Sequence, residues 1–326
     1  MKALSVFSGG LDSMLAAVLV RAQGVEVQAL FFETPFFGSA RARKSAASIN
    51  LPLKVVDITE RHLEVVKHPR HGYGSRMNPC IDCHALMFRM AGELMEAEGA
   101  SFVISGEVLG QRPMSQNKKA LETVARECGL EGILLRPLSA LRLKPTLPEE
   151  RGWVDRERLM GFQGRNRKPQ MALAEEMGIT DYPSPAGGCL LTEEAFSRRL
   201  RDLFTARPDP EIREIREIEL LKVGRHFRLS PECKLVVGRN KRENEKIREL
   251  SGGGDLLLKP ARVPGPTALL QGKPGPDCVL AAATLTAAYS DAADGGSADI
   301  LIRGETGEEA TQVSVPQKGV FKKFLI

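Results

Sequence analysis

The chain has no apolar run long enough to span a bilayer, which argues against a membrane-embedded role. It also lacks a secretory leader: a single lysine leads straight into an apolar strand, with no basic region, long apolar stretch or cleavage site. A cytoplasmic protein with no membrane partner is therefore expected. No internal repeat is evident. Charge of one sign is scarce as well, because 46 basic against 41 acidic side chains leave only +5. That balance permits a polyanionic partner without requiring one. In a reducing compartment the six cysteines point to metal ligands or catalytic thiols rather than disulfides. What is present is a globular composition, 42% hydrophobic and 27% charged over 326 residues, enough for about two domains.

The most telling stretch is Phe7-Ser8-Gly9-Gly10-Leu11-Asp12-Ser13, directly after the apolar run 3–7. A strand that turns through two glycines into a helix, here 11–21, makes a phosphate cradle. The glycines allow close backbone approach, and unpaired N–H groups at the helix start face an anion. Ser8 and Ser13 add hydroxyls, and Asp12 can hold Mg²⁺. No lysine follows, unlike the P-loop, where Lys reaches the β- and γ-phosphates. That suits a site gripping pyrophosphate as leaving group while the α-phosphate is attacked and an adenylate forms. The competing reading is a glycine turn opening an ordinary α/β domain. Ser-Gly-Gly-x-Asp-Ser resembles the motif of the PP-loop ATP pyrophosphatases.

Strand and helix alternate through the first two hundred residues. Segments 25–32, 53–58, 102–105 and 132–135 read as strands, and 38–49, 84–98 and 117–128 as helices. This rhythm predicts an α/β, doubly wound parallel sheet with ligands at the C-terminal strand ends. Composition shifts near 205, where Ala206-Arg207-Pro208-Asp209-Pro210 reads as a linker before a charge-striped helix over 211–221. Residues 1–204 are expected to form the nucleotide domain and 205–326 a smaller α+β domain. The stretch 292–298 reads as a loop.

Asn78-Pro79-Cys80-Ile81-Asp82-Cys83 opens the helix before His84, and a third thiol lies in Pro185-Ala186-Gly187-Gly188-Cys189. Thiols at a helix N-terminus have lowered pKa values and bind metals. Cys80, Cys83 and Cys189 could hold three irons of a 4Fe–4S cluster, leaving the fourth open to carry sulfide. Zinc with His84, a redox dithiol, and a c-type haem string are the alternatives. Cys128, Cys233 and Cys278 read as isolated packing residues. Ser105-Gly106-Glu107-Val108-Leu109-Gly110-Gln111, with Ser115-Gln116 behind it, is a strand-to-helix turn able to recognise adenine or ribose. Basic runs carry Arg70 and Arg76, then Arg165, Arg167 and Lys168, then Arg239 and Lys241. Each run is a solvated face or a set of phosphate-backbone contacts, and the first two flank the cysteines.

Taken together, the phosphate loop, the Cys-x-x-Cys-x-x-x-Met-x-Arg run from Cys80 to Arg89, Gly-Glu-x-Leu-Gly-Gln with Ser-Gln, and Leu135-Arg136-Pro137-Leu138 resemble the ThiI-type tRNA 4-thiouridine synthetases. The Asn-Pro-Cys lead-in also resembles the MnmA-type 2-thiouridylases. The resemblance implies ATP-dependent sulfur insertion into tRNA uridine. It implies ATP phosphates on Ser8, Gly9, Gly10, Leu11, Asp12 and Ser13, nucleotide contacts from Gly106 and Gln116, and Cys189 acting on the activated base. One extra residue separates Gln111 from Ser115-Gln116 relative to the family. Neither a THUMP-type domain nor a rhodanese domain is found. The three cysteines resemble those of iron–sulfur-dependent thiolases, so the sulfur carrier is a cluster or a Cys189 persulfide. Its donor would be a cysteine desulfurase or inorganic sulfide. Residues Val237-Gly238-Arg239-Asn240, Asn244, Asp255-Leu256 and Pro264-Gly265 resemble the NFACT-R domain, an RNA-binding module. A homodimer is compatible with all of this. The rival readings are PP-loop amide or amidine formation with ammonia, and a non-catalytic RNA- or ribosome-binding factor.

Overall fold

A computed structural model describes residues 1–184, 189–206 and 214–326. The linker residues 207–210, helix residues 211–213 and the Pro185–Gly188 lead-in to Cys189 lie outside the described residues. The chain divides into two compact units, Met1–Thr192 and Glu193–Ile326.

In chain order the first unit comprises β1 (Lys2–Val6), α1 (Leu11–Arg21), β2 (Glu26–Glu33), α2 (Ala40–Ser48), β3 (Leu53–Asp57), α3 (Thr59–Lys67) and α4 (Cys80–Leu94). β4 (Phe102–Ser105), α5 (Lys118–Glu127), β5 (Leu134–Leu135), α6 (Leu147–Glu150) and α7 (Lys168–Glu176) complete it. The strands form one sheet in the order β3-β2-β1-β4-β5, and every neighbouring pair is parallel. Alternation along β1 explains why it sits in the middle. Ala3 joins a cluster with Met14, Leu15, Ala42, Ala46 and Leu173 of α1, α2 and α7. Leu4 joins Leu86, Phe88, Ala91 and Val124 of α4 and α5 on the other face. Both faces are thus covered, as a parallel sheet requires. Strand order reverses at β1, whose neighbours are β2 on one side and β4 on the other. The crevice at such a reversal, beyond the carboxyl ends of the strands, is where doubly wound folds take ligands. Ser8–Ser13 occupies that position.

The second unit contains α8 (Glu194–Ala206), α9 (Glu214–Leu221), β6 (Arg225–Ser230), β7 (Cys233–Val237), α10 (Lys241–Glu249), β8 (Leu256–Pro260) and β9 (Ala268–Gly272). It ends with α11 (Pro276–Ala288), β10 (Ser297–Gly304) and β11 (Gly307–Ser314). Its sheet, β11-β10-β8-β9-β7-β6, is antiparallel throughout. Helix α11 covers one face, with Ala282, Ala283 and Leu285 against Leu235, Leu270 and Ile300. Leu220 and Ile247 cover Val236 and Leu269 on the other. The α/β sheet and the smaller α+β unit expected from the sequence are both present. The division falls at Thr192/Glu193 rather than at 204/205. The reason is that Asp202 of α8 pairs with Arg228 at 2.6 Å and with Lys234 at 3.5 Å, in β6 and β7. Among the described residues no helix is long and apolar enough to cross a membrane.

Candidate active site

Gly9 takes a φ of +73°, and Gly10 leads extended into α1. A Cβ on Gly9 would lie 2.7 Å from the Cα of Ala42. Here both the left-handed backbone and the close approach of α2 require glycine. Ser13 Oγ donates to the Gly10 carbonyl at 2.8 Å, and Ser45 Oγ donates to the Gly9 carbonyl at 2.8 Å. Ser8 Oγ reaches Ser13 Oγ at 3.3 Å, and the Gly10 N–H donates to Ser8 Oγ at 3.3 Å. These bonds fix the loop. No side chain caps α1 among the described residues, so its leading N–H groups remain for an anion.

Gly106, just past β4, touches the same turn. A Cβ there would lie 2.7 Å from both the Cα and N of Ser13. Gly106→Ala is therefore expected to push the start of α1 off β4, costing about 1–3 kcal/mol of stability and weakening nucleotide binding. A thermal melt and a calorimetric titration with ATP check both effects.

The Asp12 side chain turns toward the loop after β4. Gln111 Nε2 donates to Asp12 Oδ2 at 3.0 Å, while Asp12 Oδ1 and Gln111 Oε1 are buried with no partner among the described residues. Burial raises the Asp12 carboxyl above its ordinary value, and Gln111, Arg167, Arg112 and Gln170 oppose that shift. Sequence reasoning singled out Gln116 for the nucleotide. It is Gln111 that reaches Asp12, while Gln116 is buried on the same loop with Oε1 unpartnered among the described residues.

Glu107, next to Gly106, ties this loop to the cysteine helix. Its Oε1 meets His84 Nδ1 at 2.8 Å, and its Oε2 accepts from Arg136 Nε at 2.9 Å. Burial alone would raise the Glu107 carboxyl, but Arg136 and His84 outweigh it and hold the pKa at about 2. His84 Nδ1 is thus committed to Glu107, which fixes the ring and leaves Nε2 as its only nitrogen able to bind a metal. Gly106 on Ser13 and Glu107 on His84 place the first turn of α4 and the phosphate loop at the same edge of the sheet.

Cys80 and Cys83 lie in that first turn. Asn78 Nδ2 donates to Cys80 Sγ at 3.2 Å, and His62 Nε2 lies 3.1 Å from Cys83 Sγ. His62 is fully buried on α3 between Phe36 and Phe37, with ring centroids 5.5 and 5.4 Å away. Desolvation lowers its pKa to about 4. The Cys83 thiol is pushed well up by burial first, and then by Cys189, Cys80 and Asp82. At rest this is a neutral thiol beside a neutral imidazole. The Leu190 N–H donates to the Phe36 carbonyl at 3.3 Å, docking Cys189 beside the residue that stacks on His62. The charges of Cys80 and Cys189 both act on Cys83, so the three thiols share one neighbourhood. Among the described residues, however, no three His, Cys, Asp or Glu side chains are gathered tightly enough to hold a metal ion.

Asp82, between the two cysteines, has a structural part: its carboxylate accepts the Arg70 and His71 N–H groups, each at 3.1 Å. The Arg70 side chain is exposed and meets Glu127 at 3.5 Å. Arg165 and Lys168 are exposed, whereas Arg167 is half-buried and acts on Asp12. Arg76 lies in the same anchored loop as Arg70, its N–H donating to Asn78 Oδ1 at 3.0 Å. In the second unit Arg239 pairs with Glu243 in the first turn of α10, and Lys241 is exposed. Cys233 and Cys278 are not isolated: burial first, and then the neighbouring Cys278 thiol, push the Cys233 thiol up. His62 and the pairing of Glu107 escaped sequence reasoning, whereas Gln111 was singled out with the motif after β4 but not as a partner of Asp12.

A doubly wound sheet with an anion cradle at its reversal and thiols on the same edge defines the class. Comparison with known proteins adds the relatives. Residues 1–144 match the family described as "Thiamine biosynthesis protein (ThiI)", and residues 224–324 match "NFACT protein RNA binding domain". Both resemblances read from the motifs are thus shown, each over its own part of the chain. Proteins named "Probable tRNA sulfurtransferase" from Staphylococcus aureus strains Newman and COL are 31% identical over 121 residues. The match covers 34% of this chain, which spans only 28% of the length of these curated relatives. Among solved structures, a 4-thiouridine synthetase–RNA complex with bound ATP is 24% identical over 42% of this chain and 36% of its own, with a TM-score of 0.34. The C-terminal part of a fibronectin/fibrinogen-binding protein from Streptococcus suis is 18% identical over 49% of this chain and 72% of its own, at 0.28. Both superpose weakly.

Proposed function

We propose that the chain is an ATP-dependent tRNA uridine thiolase, forming 4-thiouridine. The observation that carries the reading is the linkage through Gly106 and Glu107, which puts an anion cradle and a three-thiol neighbourhood on one sheet edge. Adenylation and sulfur transfer must share a site, because an unactivated carbonyl oxygen is a very poor leaving group. The uridine O4 attacks the α-phosphate, and pyrophosphate departs into the Ser8–Ser13 loop. There the leading N–H groups of α1 stabilise its charge. Mg²⁺ would supply further neutralisation, and the unpartnered, buried Asp12 Oδ1 fits a place among its ligands.

Sulfur is carried as a Cys189 persulfide loaded by a donor of the cysteine desulfurase kind. Its terminal sulfur bonds to C4, and AMP leaves. The Cys83 sulfur then attacks Cys189 Sγ and gives its proton to His62. The sulfur–sulfur bond breaks, thiouridine is released, and a Cys83–Cys189 disulfide remains for an external dithiol to reduce. The exposed Arg70, Arg76, Arg165 and Lys168, with Arg239 and Lys241 of the NFACT-R-like unit, hold the tRNA phosphates. Nothing in the chemistry needs a second copy of the chain.

The test is a reaction of the full chain with ATP, unmodified tRNA and a persulfide source, with products read as AMP, pyrophosphate and modified nucleoside. Equimolar AMP, pyrophosphate and 4-thiouridine are expected. Cys189→Ala should still release pyrophosphate but form no thiouridine. Undiminished product from Cys189→Ala would point to ammonia chemistry, and 2-thiouridine would move the target carbonyl. Iron and acid-labile sulfide in anaerobically purified protein would replace the persulfide by a cluster.

A further inference from the structure

A phosphate loop with no lysine leaves three or four negative charges with no cationic side chain of the loop to meet them. The first turn of α7 offers a remedy outside the ThiI-matched segment 1–144. Arg167 is the N-cap of α7, and Gln170 lies in its first turn. Helix α7 packs against α1 through Leu173 and Ala174 in the shared core, which brings its N-terminal end toward Asp12. Gln170 is only 1% exposed and lies close enough to Asp12 to lower its carboxyl pKa, yet neither Nε2 nor Oε1 reaches full hydrogen-bond geometry with any partner among the described residues. Arg167 Nε is buried and unpartnered in the same sense. Arg112, in the loop after β4, is exposed. All three side chains act on the Asp12 carboxyl, but no ion pair joins that carboxylate to either guanidinium among the described residues.

Buried polar atoms without partners cost about 1–3 kcal/mol each and are rare in native proteins. Here Asp12 Oδ1, Gln111 Oε1, both amide atoms of Gln170 and Arg167 Nε collect around one carboxylate. Two guanidiniums act on it through space, with no ion pair to it among the described residues. Such a cluster is satisfied by a ligand that is anionic toward the arginines and carries a cation toward the carboxylate. A metal–polyphosphate is that ligand.

We propose that Arg167 and Arg112 clamp the leaving pyrophosphate of a nucleoside triphosphate from the side opposite the glycine loop, with Gln170 orienting Asp12. The guanidiniums take the part that a P-loop gives to lysine, and their fork matches phosphate oxygens in bidentate fashion. Arg167 is thereby a nucleotide-site residue rather than part of an RNA-binding run. The inference rests on the nucleotide reading of the Ser8–Ser13 loop but not on sulfur transfer.

The test is calorimetric titration of the full chain, without tRNA, using Mg-ATP, Mg-pyrophosphate and adenosine. Arg167→Ala is expected to weaken ATP and pyrophosphate at least tenfold while leaving adenosine affinity unchanged. Arg167→Lys should recover part of the loss. Arg112→Ala, at an exposed position that leaves packing intact, should weaken both phosphate ligands several-fold and decides the matter should Arg167→Ala not fold. Wild-type affinities in Arg167→Ala, or equal losses for all three ligands, would overturn the clamp. A wild-type protein that binds neither ATP nor pyrophosphate would instead sink the nucleotide reading itself.

Discussion

Asp12→Asn is expected to give a protein that is more heat-stable than the wild type and unable to release pyrophosphate. The two effects share one cause. Burial raises the Asp12 carboxyl above its ordinary value, so the folded free protein resists the ionised form. A group with a raised folded pKa contributes stability at low pH and loses it as pH rises through that pKa. At neutral pH the wild type therefore carries an unfavourable buried charge, which asparagine removes while still accepting the Gln111 hydrogen bond. The melting-temperature gap between variant and wild type should widen as pH rises from about 4 through the raised folded pKa and then level off. Pyrophosphate release should fall by about a hundredfold or more, the scale for removing one preorganised charge from a phosphoryl-transfer site. A variant that melts lower at every pH, or that turns over normally, would contradict this account.

The second large effect is on Glu107. Removing its side chain in Glu107→Ala leaves the buried Arg136 guanidinium without its partner, a situation that costs about 3–5 kcal/mol. In a unit of this size that is a drop of about ten degrees in melting temperature. Glu107→Gln keeps the shape but not the charge, and isolates the pH effect. Because the folded pKa is about 2 against an ordinary 4.5, the ionised carboxylate contributes stability that is complete above about pH 4.5. That contribution is lost as pH falls toward 2. The wild type should thus lose stability steeply over this interval, and Glu107→Gln should show a flatter profile. Sulfur transfer should fail in Glu107→Ala even below its melting point, since the His84 contact that sets the first turn of α4 is gone, whereas Glu107→Gln, whose amide oxygen still accepts from His84, should keep part of it. Acid-titration melts and the thiolation assay check the two halves separately.

Features whose cause is local were legible in the sequence. The strand–Gly–Gly–helix turn is readable because Gly9 and Gly10 and the apolar run before them are contiguous. The βαβ order followed from periodicity, with element ends shifted by a few residues where fraying and turn residues decide. What escaped is what distant segments create together. His62 sits in a helix with no motif around it, and only the β2–α2 turn carrying Phe36 and Phe37 buries it against Cys83. Glu107 reads as an ordinary turn residue until Arg136, 29 positions later, arrives beside it. Arg167 stands in a basic run that resembles a solvated face, and only the packing of α7 on α1 turns it toward Asp12. Asp82 falls between the cysteines with no sign in the sequence of its part, which is to accept the Arg70 and His71 backbone N–H groups.

That use of Asp82 has a mechanical corollary. On the proposed reading, the residue that separates the two sulfurs also pins the backbone of the strap bearing Arg70, which ties the tRNA grip to the reactive atoms. A polyanion held there would be presented to the thiols at a set offset, much as a jig holds work against a blade. Loosening the pin would leave both the holding and the cutting intact, and spoil only the distance between them.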